Sequence, residues 1–388
     1  MNLVVIPFHD WRKSEKEGFR TRDVHFIRAF HELDGIEKIL VINRPSTPIE
    51  LWAKKFSKDL RGEVVLEKGK FRLTKIDEGL YVADCFSKDM LGQAIHRQAW
   101  FLDAFGHEDY CRFVQKACEL LDMKGAPLLT QNVFSFKMVS RLEAPFKLFD
   151  AWDNFLKFPA YQKFKGRLWE GYQSLSETAD AWITNSHENI SFFRKNFNPR
   201  RIELVKNGVR RDFGGDTFSE PEDLGQIARP IFGFGGKISY LLDYELINFI
   251  TKAIPDASFV FVGQILDKEV FKKIIRRPNV HFLGDKPYAE YANYVKGFDT
   301  CLVPYRIKEG QHGGDSMKVY EYLLLGKKVV GTNGNGLEDL QDYIYVAHTP
   351  QEFALALADT TNARLPFPIE EHTWKAKAEK LVEKFKEF

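Results

Sequence analysis

At 388 residues the chain exceeds one comfortable hydrophobic core, which predicts two domains. A net charge of +2 lacks the basic bias of a polyanion binder, so nucleic acid is not expected as a partner. Hydrophobic content of 44% and charged content of 28% are those of a globular protein. No apolar run reaches the ~18 residues of a membrane span, and Met1 leads into a strand rather than a signal peptide. Together these predict a cytoplasmic protein. Cys85, Cys111, Cys118 and Cys301 have no metal-type spacing and are expected as free thiols, Cys111 and Cys118 two turns apart on one helix face. An aromatic content of 14%, with 34 Phe, predicts a ring-rich core with side chains to spare for lining a cleft.

The first half alternates short apolar runs with helical stretches, the pattern of a parallel sheet with crossover helices. Residues 3–7 read as a buried strand, and Phe8, His9, Asp10 and Trp11 begin the loop at its carboxyl end, where topology turns His9 and Asp10 toward a cleft. Helix is predicted from Thr21 to Leu33, with Val24, Ile27, Phe30 and Leu33 on one side. Residues 39–42 make a second strand, and 64–84 read as β-structure turning at 67–70. Two helical stretches, 88–104 and 108–122, lead to strands at 127–130, 147–150 and 181–184. Residues 210–229, rich in Gly, Asp, Glu and Pro, read as a linker. A second series of strands follows at 230–234, 258–262, 280–283, 300–303 and 328–331. The expected domains are therefore 1–209 and 230–370, followed by an amphipathic helix, 371–388. That helix sets Trp374, Ala378, Leu381, Phe385 and Phe388 on one face. Its polar face mixes both signs, which favours packing on protein over membrane anchoring.

The densest chemical signal lies between Gly313 and Thr332. Two glycines, Asp315 and Ser316 open a helix that Gly326 closes, and a strand follows. A helix start on a glycine loop presents backbone N–H groups and a positive dipole end, which suit phosphate. Lys318 and Glu321 lie three residues apart and share one face. A cation and a carboxylate beside a phosphate-ready helix start suit a nucleotide.

This segment resembles the donor-binding helix of GT-B glycosyltransferases, especially retaining family 4 (glycosyl transferases group 1), whose pattern is roughly Ser-Pro-x-Lys-x-x-Glu. The resemblance implies that Glu321 holds ribose and that Asp315, Ser316 and Met317 face the diphosphate, with Lys318 supporting either. It extends over most of residues 180–350. Ile183–Ser186 and Leu204–Val209 match the end of the family's first domain, with Asn207-Gly208 as a structural turn. Gly236 lets backbone approach a ligand, and Lys237 sits where the family places a diphosphate-binding cation. Gly263, Pro287 and Tyr288 correspond to loops around the base, and Arg306 precedes the glycine loop. Each of these positions lies at a strand's carboxyl end, where open α/β sheets bind ligands. Two departures stand out. The family's earlier glutamate falls on Gly313, leaving its role vacant or to Glu309, Gln311 or His312; a second basic residue falls on Asp243.

The implied fold is α/β: two Rossmann-like domains facing across a cleft, with the last helix packing back on the first. The implied reaction moves a sugar from a nucleotide-sugar donor to a glycan or lipid-linked acceptor, with retention, as in surface polysaccharide synthesis. No Asp-x-Asp stands out and no metal or other cofactor is expected, the helix dipole and cations neutralising the diphosphate. Asp150 and Asp153, after the strand at 147–150, resemble a Tyr-Asp-x-x-Asp-Asp stretch of polysaccharide-assembly enzymes. They are candidates to orient the acceptor hydroxyl or stabilise positive charge on the sugar, with helix capping as the alternative for Asp153. With Lys237 they make the expected catalytic set. Arg20 and Arg22 are candidates to reach the donor phosphates, a solvated helix end being the alternative. Residues 155–169 mix aromatic and basic side chains and suggest peripheral contact with the inner membrane face, against the alternative of an ordinary surface helix. A non-catalytic nucleotide-sugar-binding subunit and a GT-B epimerase are the rival readings. A nicotinamide dehydrogenase is disfavoured, since no Gly-x-Gly-x-x-Gly follows the first strand.

Overall fold

The structure is a computed structural model that describes residues 1–215, 217–307, 314–361 and 364–387. The chain forms two units: Met1–Val205 with Trp374–Phe388, and Lys206–Thr373.

In the first unit the apolar runs become strands because both faces of the sheet are covered by helices. The strands are β1 (Asn2–Ile6), β2 (Lys38–Ile42), β3 (Glu63–Lys68), β4 (Phe71–Asp77), β5 (Leu80–Cys85), β6 (Leu128–Thr130), β7 (Lys147–Asp150), β8 (Ala181–Thr184) and β9 (Ile202–Leu204). Their order is β3-β4-β5-β2-β1-β6-β7-β8-β9. From β5 to β9 the neighbours run parallel, and the β3–β4–β5 meander makes the antiparallel edge. The chain reverses its direction of winding between β1 and β6, where a crevice opens at the strands' carboxyl ends.

The second unit holds β10 (Ile231–Gly235), β11 (Ser258–Val262), β12 (Val280–Gly284), β13 (Thr300–Val303), β14 (Lys328–Thr332) and β15 (Tyr345–Ala347). All neighbours are parallel, in the order β12-β11-β10-β13-β14-β15. That is the doubly wound arrangement, with its switch point between β10 and β13.

Two expectations change. The helix predicted over 88–104 breaks into Met90–His96, a 3-10 turn and Phe101–Ala104, because Arg97 takes a left-handed φ of 48°. The supposed linker 210–229 is tied into the second unit. Phe213 and Leu224 are buried in its core, and Lys296 donates to the carbonyls of Gly214, Gly215 and Thr217. In the aromatic-basic stretch, Phe155 and Leu156 are buried. Phe158 stacks on Tyr161, and Tyr161 and Phe164 contact each other and Phe134, so these half-buried rings pack against the core.

The last helix, Trp374–Lys386, belongs to the first unit. Trp374 stacks on His25 at 5.1 Å and meets Phe26 edge-on, and Phe385 packs against Phe30 and Phe146.

Candidate functional site

At the carboxyl ends of β10, β11 and β12 three loops are laced together by backbone. Gly236 N donates to Val262 O at 2.8 Å, and Gly263 N donates to Gly284 O at 2.7 Å. Gly263 has φ +146°, and a Cβ there would lie 2.0 Å from the Gly236 oxygen, so no side chain fits. Gly236 has φ +149°, and its Cβ would lie 2.9 Å from Lys318 Nζ. The loop after β10 therefore runs directly beneath the Lys318 ammonium. The next residue, Lys237, is exposed.

The helix Met317–Leu324 brings the expected pair to this place. Lys318 donates to the Tyr305 hydroxyl, and its ammonium lies 4.9 Å from the centres of both the Phe234 and Tyr305 rings. Glu321 is buried, and the Tyr288 hydroxyl donates to its Oε1 at 2.7 Å. Burial pushes the Glu321 carboxyl up to about 7, against the hydrogen bond from Tyr288 and the charge of Lys318. Tyr288 is the first residue of the helix Tyr288–Gly297, which Pro287 introduces. Burial, then the neighbouring Glu321, pushes its phenol well above the usual range. Gly326, at φ +66°, ends the helix Met317–Leu324 as the sequence suggests.

One motif residue lacks the capping bond the sequence suggests, and another is engaged within the protein. Ser316 stands at the N-cap but makes no side-chain capping bond. Asp315, expected at the diphosphate, has its carboxylate committed within the protein: Asn207 N donates to Oδ2 at 2.7 Å and the Tyr320 hydroxyl lies at 2.9 Å. Asn207 Nδ2 also donates to Asp315 O, so this pair anchors the loop before the helix. Asp243, which replaces an expected cation, caps the helix Tyr244–Ala253 by accepting from Glu245 N and Leu246 N. A different cation reaches that neighbourhood. Arg306 N donates to Leu241 O at 2.7 Å, and its guanidinium lies 4.7 Å from the Tyr244 ring centre. Gly313, Glu309, Gln311 and His312 lie outside the described residues. Tyr305 and Phe234 were not singled out as site residues; only the fold brings their rings to Lys318.

In the first unit the expected acids are also engaged. Asp150, at the end of β7, is buried and takes two bonds from Arg22, Nε at 2.9 Å and Nη2 at 3.1 Å, and a third from Gln131 at 2.9 Å. Arg22 is spent on this pair and on the Val205 carbonyl rather than presented to phosphates. Asp153 is buried, and its carbonyl accepts from the Tyr172 hydroxyl; the local cap is Asn154, not Asp153. Asp23 accepts from His9 N at 2.8 Å and lies 3.0 Å from His9 Nδ1. Burial opposes ionisation of Asp23, but the His9 charge and hydrogen bonds from His9 and Thr21 hold its carboxyl below the usual range.

A pocket of about 200 Å³ opens where this sheet switches direction. Phe8, Phe101, Phe134 and Tyr161 give it ring walls, and Lys13, Arg44 and Lys54 give it cations. Asp10 lines it with Oδ1 capping the helix Trp11–Lys16 and a buried Oδ2 that has no hydrogen-bond partner. Burial raises the Asp10 carboxyl, against the opposing charges of Arg44 and Arg12. For this cleft the sequence flagged His9 and Asp10, which Phe8 and Lys13 adjoin in the chain; Arg44, Lys54, Phe101 and Phe134 come from distant segments without a local motif.

Comparison with known proteins fits this picture. Residues 237–362 match the family model for glycosyl transferases group 1. Over 150 residues, 37% of this chain, there is 29% identity to the putative teichuronic acid biosynthesis glycosyltransferase TuaH of Bacillus subtilis (strain 168). The chain covers 38% of that relative's length. Among solved structures, sucrose-phosphate synthase from Thermosynechococcus elongatus has a TM-score of 0.69 at 13% identity, over 99% of this chain and 98% of that one. The α,α-trehalose-phosphate synthase (UDP-forming) of Burkholderia xenovorans, in complex with glucose-6-phosphate, has a TM-score of 0.67 at 10% identity, over the full length of both chains. The chain thus has the GT-B fold, and residues 237–362 of its second unit are similar to glycosyl transferases group 1.

Proposed function

We propose that this protein is a glycosyltransferase that moves a sugar from a nucleotide-sugar donor to a glycan or lipid-linked acceptor in surface polysaccharide synthesis. The observation that carries the reading is the grouping of buried Glu321, the held ammonium of Lys318 and the close-approach loop at Gly236, at the switch point of the second sheet. Lys318 and Glu321 lie within the stretch that matches the group 1 model, and Gly236 immediately precedes it. The TuaH likeness supports an acidic polysaccharide context.

In this reading Glu321 accepts hydrogen bonds from ribose hydroxyls. Gly263, Pro287 and Tyr288 border the base. The first turn of Met317–Leu324, with Ser316, faces the diphosphate. Lys318, Lys237 and Arg306 oppose the charge that develops on the leaving diphosphate, so the transfer runs without a metal. Retention follows if the departing diphosphate takes the acceptor proton on the face it leaves. Asp315 and Asp150 are assigned positioning roles, through Asn207 and Arg22 respectively. The Phe8–Tyr161 pocket of the first unit receives the acceptor, with Asp10 Oδ2 available to a sugar hydroxyl.

The test is release of nucleoside diphosphate from a panel of nucleotide sugars, with and without acceptor extracts and with EDTA. We expect one donor class to turn over in an acceptor-dependent, EDTA-resistant way, with Glu321→Ala raising donor KM at least about tenfold, the loss of one or two buried hydrogen bonds. Free sugar released without acceptor would favour the epimerase reading. Donor binding without turnover would favour a non-catalytic subunit.

A further inference from the structure

Two short helices of the first unit carry their large apolar side chains outward. In Pro48–Lys54, Trp52 is 82% exposed and Ile49 56%; in Met90–His96, Leu91 is 77%, Ile95 72% and Met90 41% exposed. Ile49 and Trp52 are spaced i,i+3, and Leu91 and Ile95 i,i+4, so each pair shares a helix face. The helices are joined side by side: Gln93 Nε2 donates to Glu50 Oε2 at 2.6 Å, and the Thr47 hydroxyl bonds Gln93 Oε1. Single exposed apolar residues are ordinary, but five on two adjoining helices form a patch of the kind that marks an interaction surface. None of the seven residues of Met90–His96 is buried. A helix so short, with no core contact of its own, is marginal in water unless something covers it.

The surroundings say what covers it. Lys54, Lys55, Lys88 and Arg97 are exposed on the same two segments. Lys16 is exposed beside the end of the first helix, its ammonium 5.6 Å from the centre of the Phe56 ring. The acids are Glu50, which is neutralised between Arg44 and Lys54, and Asp89, which accepts from Gly92 N and the Trp100 indole. An apolar face ringed by lysines complements an anionic bilayer, where rings and aliphatic chains enter the acyl boundary and ammonium groups stay among the headgroups. A second copy fits less well, because a two-fold contact would set this cationic ring against itself.

We propose that the face formed by Ile49, Trp52, Met90, Leu91 and Ile95 docks on the surface of an anionic membrane. Lys54, which ends the first helix, and Gln98, just after the second, both line the pocket described above. Docking therefore sets that pocket at the headgroup layer. The consequence that a lipid-linked acceptor is presented there rests on the function proposed above; the docking itself does not.

The experiment is flotation of the full chain with vesicles of phosphatidylcholine alone or mixed with phosphatidylglycerol. We expect binding to the anionic vesicles only, weakened by salt. The Trp52→Ser/Leu91→Ser/Ile95→Ser variant should lose at least about tenfold in bound fraction, as removal of this much apolar area predicts, with an unchanged melting temperature. Replacing Lys54, Lys55 and Lys88 by Gln should flatten the salt dependence. Failure of the wild type to float, or equal flotation of the apolar variant, would overturn the proposal. So would a vesicle-free dimer that the apolar variant abolishes, since the face would then belong to a second copy. Because flotation needs no turnover, its failure is separable from failure of the glycosyltransferase reading.

Discussion

The proposed function asks Glu321 to be a carboxylate for ribose in a place where burial favours the acid, and the balance falls at a pKa of about 7. Since this folded-state value stands above the ordinary 4.5, the folded protein holds the proton more tightly than the unfolded chain. The stability this contributes is full below about 4.5 and is lost as pH rises through about 7. Relative to Glu321→Gln, wild type should therefore lose on the order of 3 kcal/mol between pH 4 and pH 8, measured by urea unfolding at each pH. Donor affinity should move the opposite way. If the carboxylate is the ribose ligand, wild-type Kd should tighten up to about tenfold from pH 6 to pH 8, and Glu321→Gln should be flat by calorimetry. This pair of residues was legible because Lys318 and Glu321 are neighbours on one helix. The acids Asp315 and Asp150 were not, since their partners Asn207 and Arg22 lie 108 and 128 residues away. Asp150→Asn should cost about 3 kcal/mol by leaving the Arg22 charge buried and half-paired, while nucleotide binding to the second unit stays at its wild-type value.

At the scale of elements, glycines decide which loops can be altered. Gly263 and Gly326 both have positive φ, but only Gly263 faces backbone, 2.0 Å from where its Cβ would sit, while Gly326 has open space around it. Gly326→Ala should then cost about 1 kcal/mol of backbone strain. Gly263→Ala should cost about 3 kcal/mol or more and weaken donor binding as well, since it pries apart the loops after β10 and β11. Thermal melts with and without the donor nucleotide separate the two. Long apolar runs such as 258–262 and 300–303 were readable as strands because both faces of the sheet are covered. The three-residue strand β9 was not, having no continuous apolar run like the one that marks the equally short β6. The break at Arg97 went unseen because nothing in the residue type announces a left-handed backbone.

For the molecule as a whole, both units place their candidate sites at the same kind of position, the carboxyl ends of strands where a parallel sheet reverses its winding, and that much of the fold followed from the alternation of runs. The expected return of the last helix is also found: the first unit is completed by a helix that comes after the entire second unit. The amphipathic face of Trp374–Lys386 gives the reason. Trp374, Leu381 and Phe385 are buried, against partners that include Phe26, Phe30 and Phe146 from the first unit's core. At about 1.5–3 kcal/mol for each large apolar side chain, this helix contributes on the order of 5 kcal/mol to that unit, a large part of what a domain has to spare. Deleting residues 374–388 should therefore lower the first unit's unfolding transition sharply and expose surface that binds a hydrophobic dye. The donor-site residues all lie between 206 and 373, so nucleotide affinity should survive the deletion while transfer to acceptor fails. A truncated protein that melts as wild type would show that the helix is a passenger, and that the face of Phe26 and Phe30 is held by the rest of its own unit.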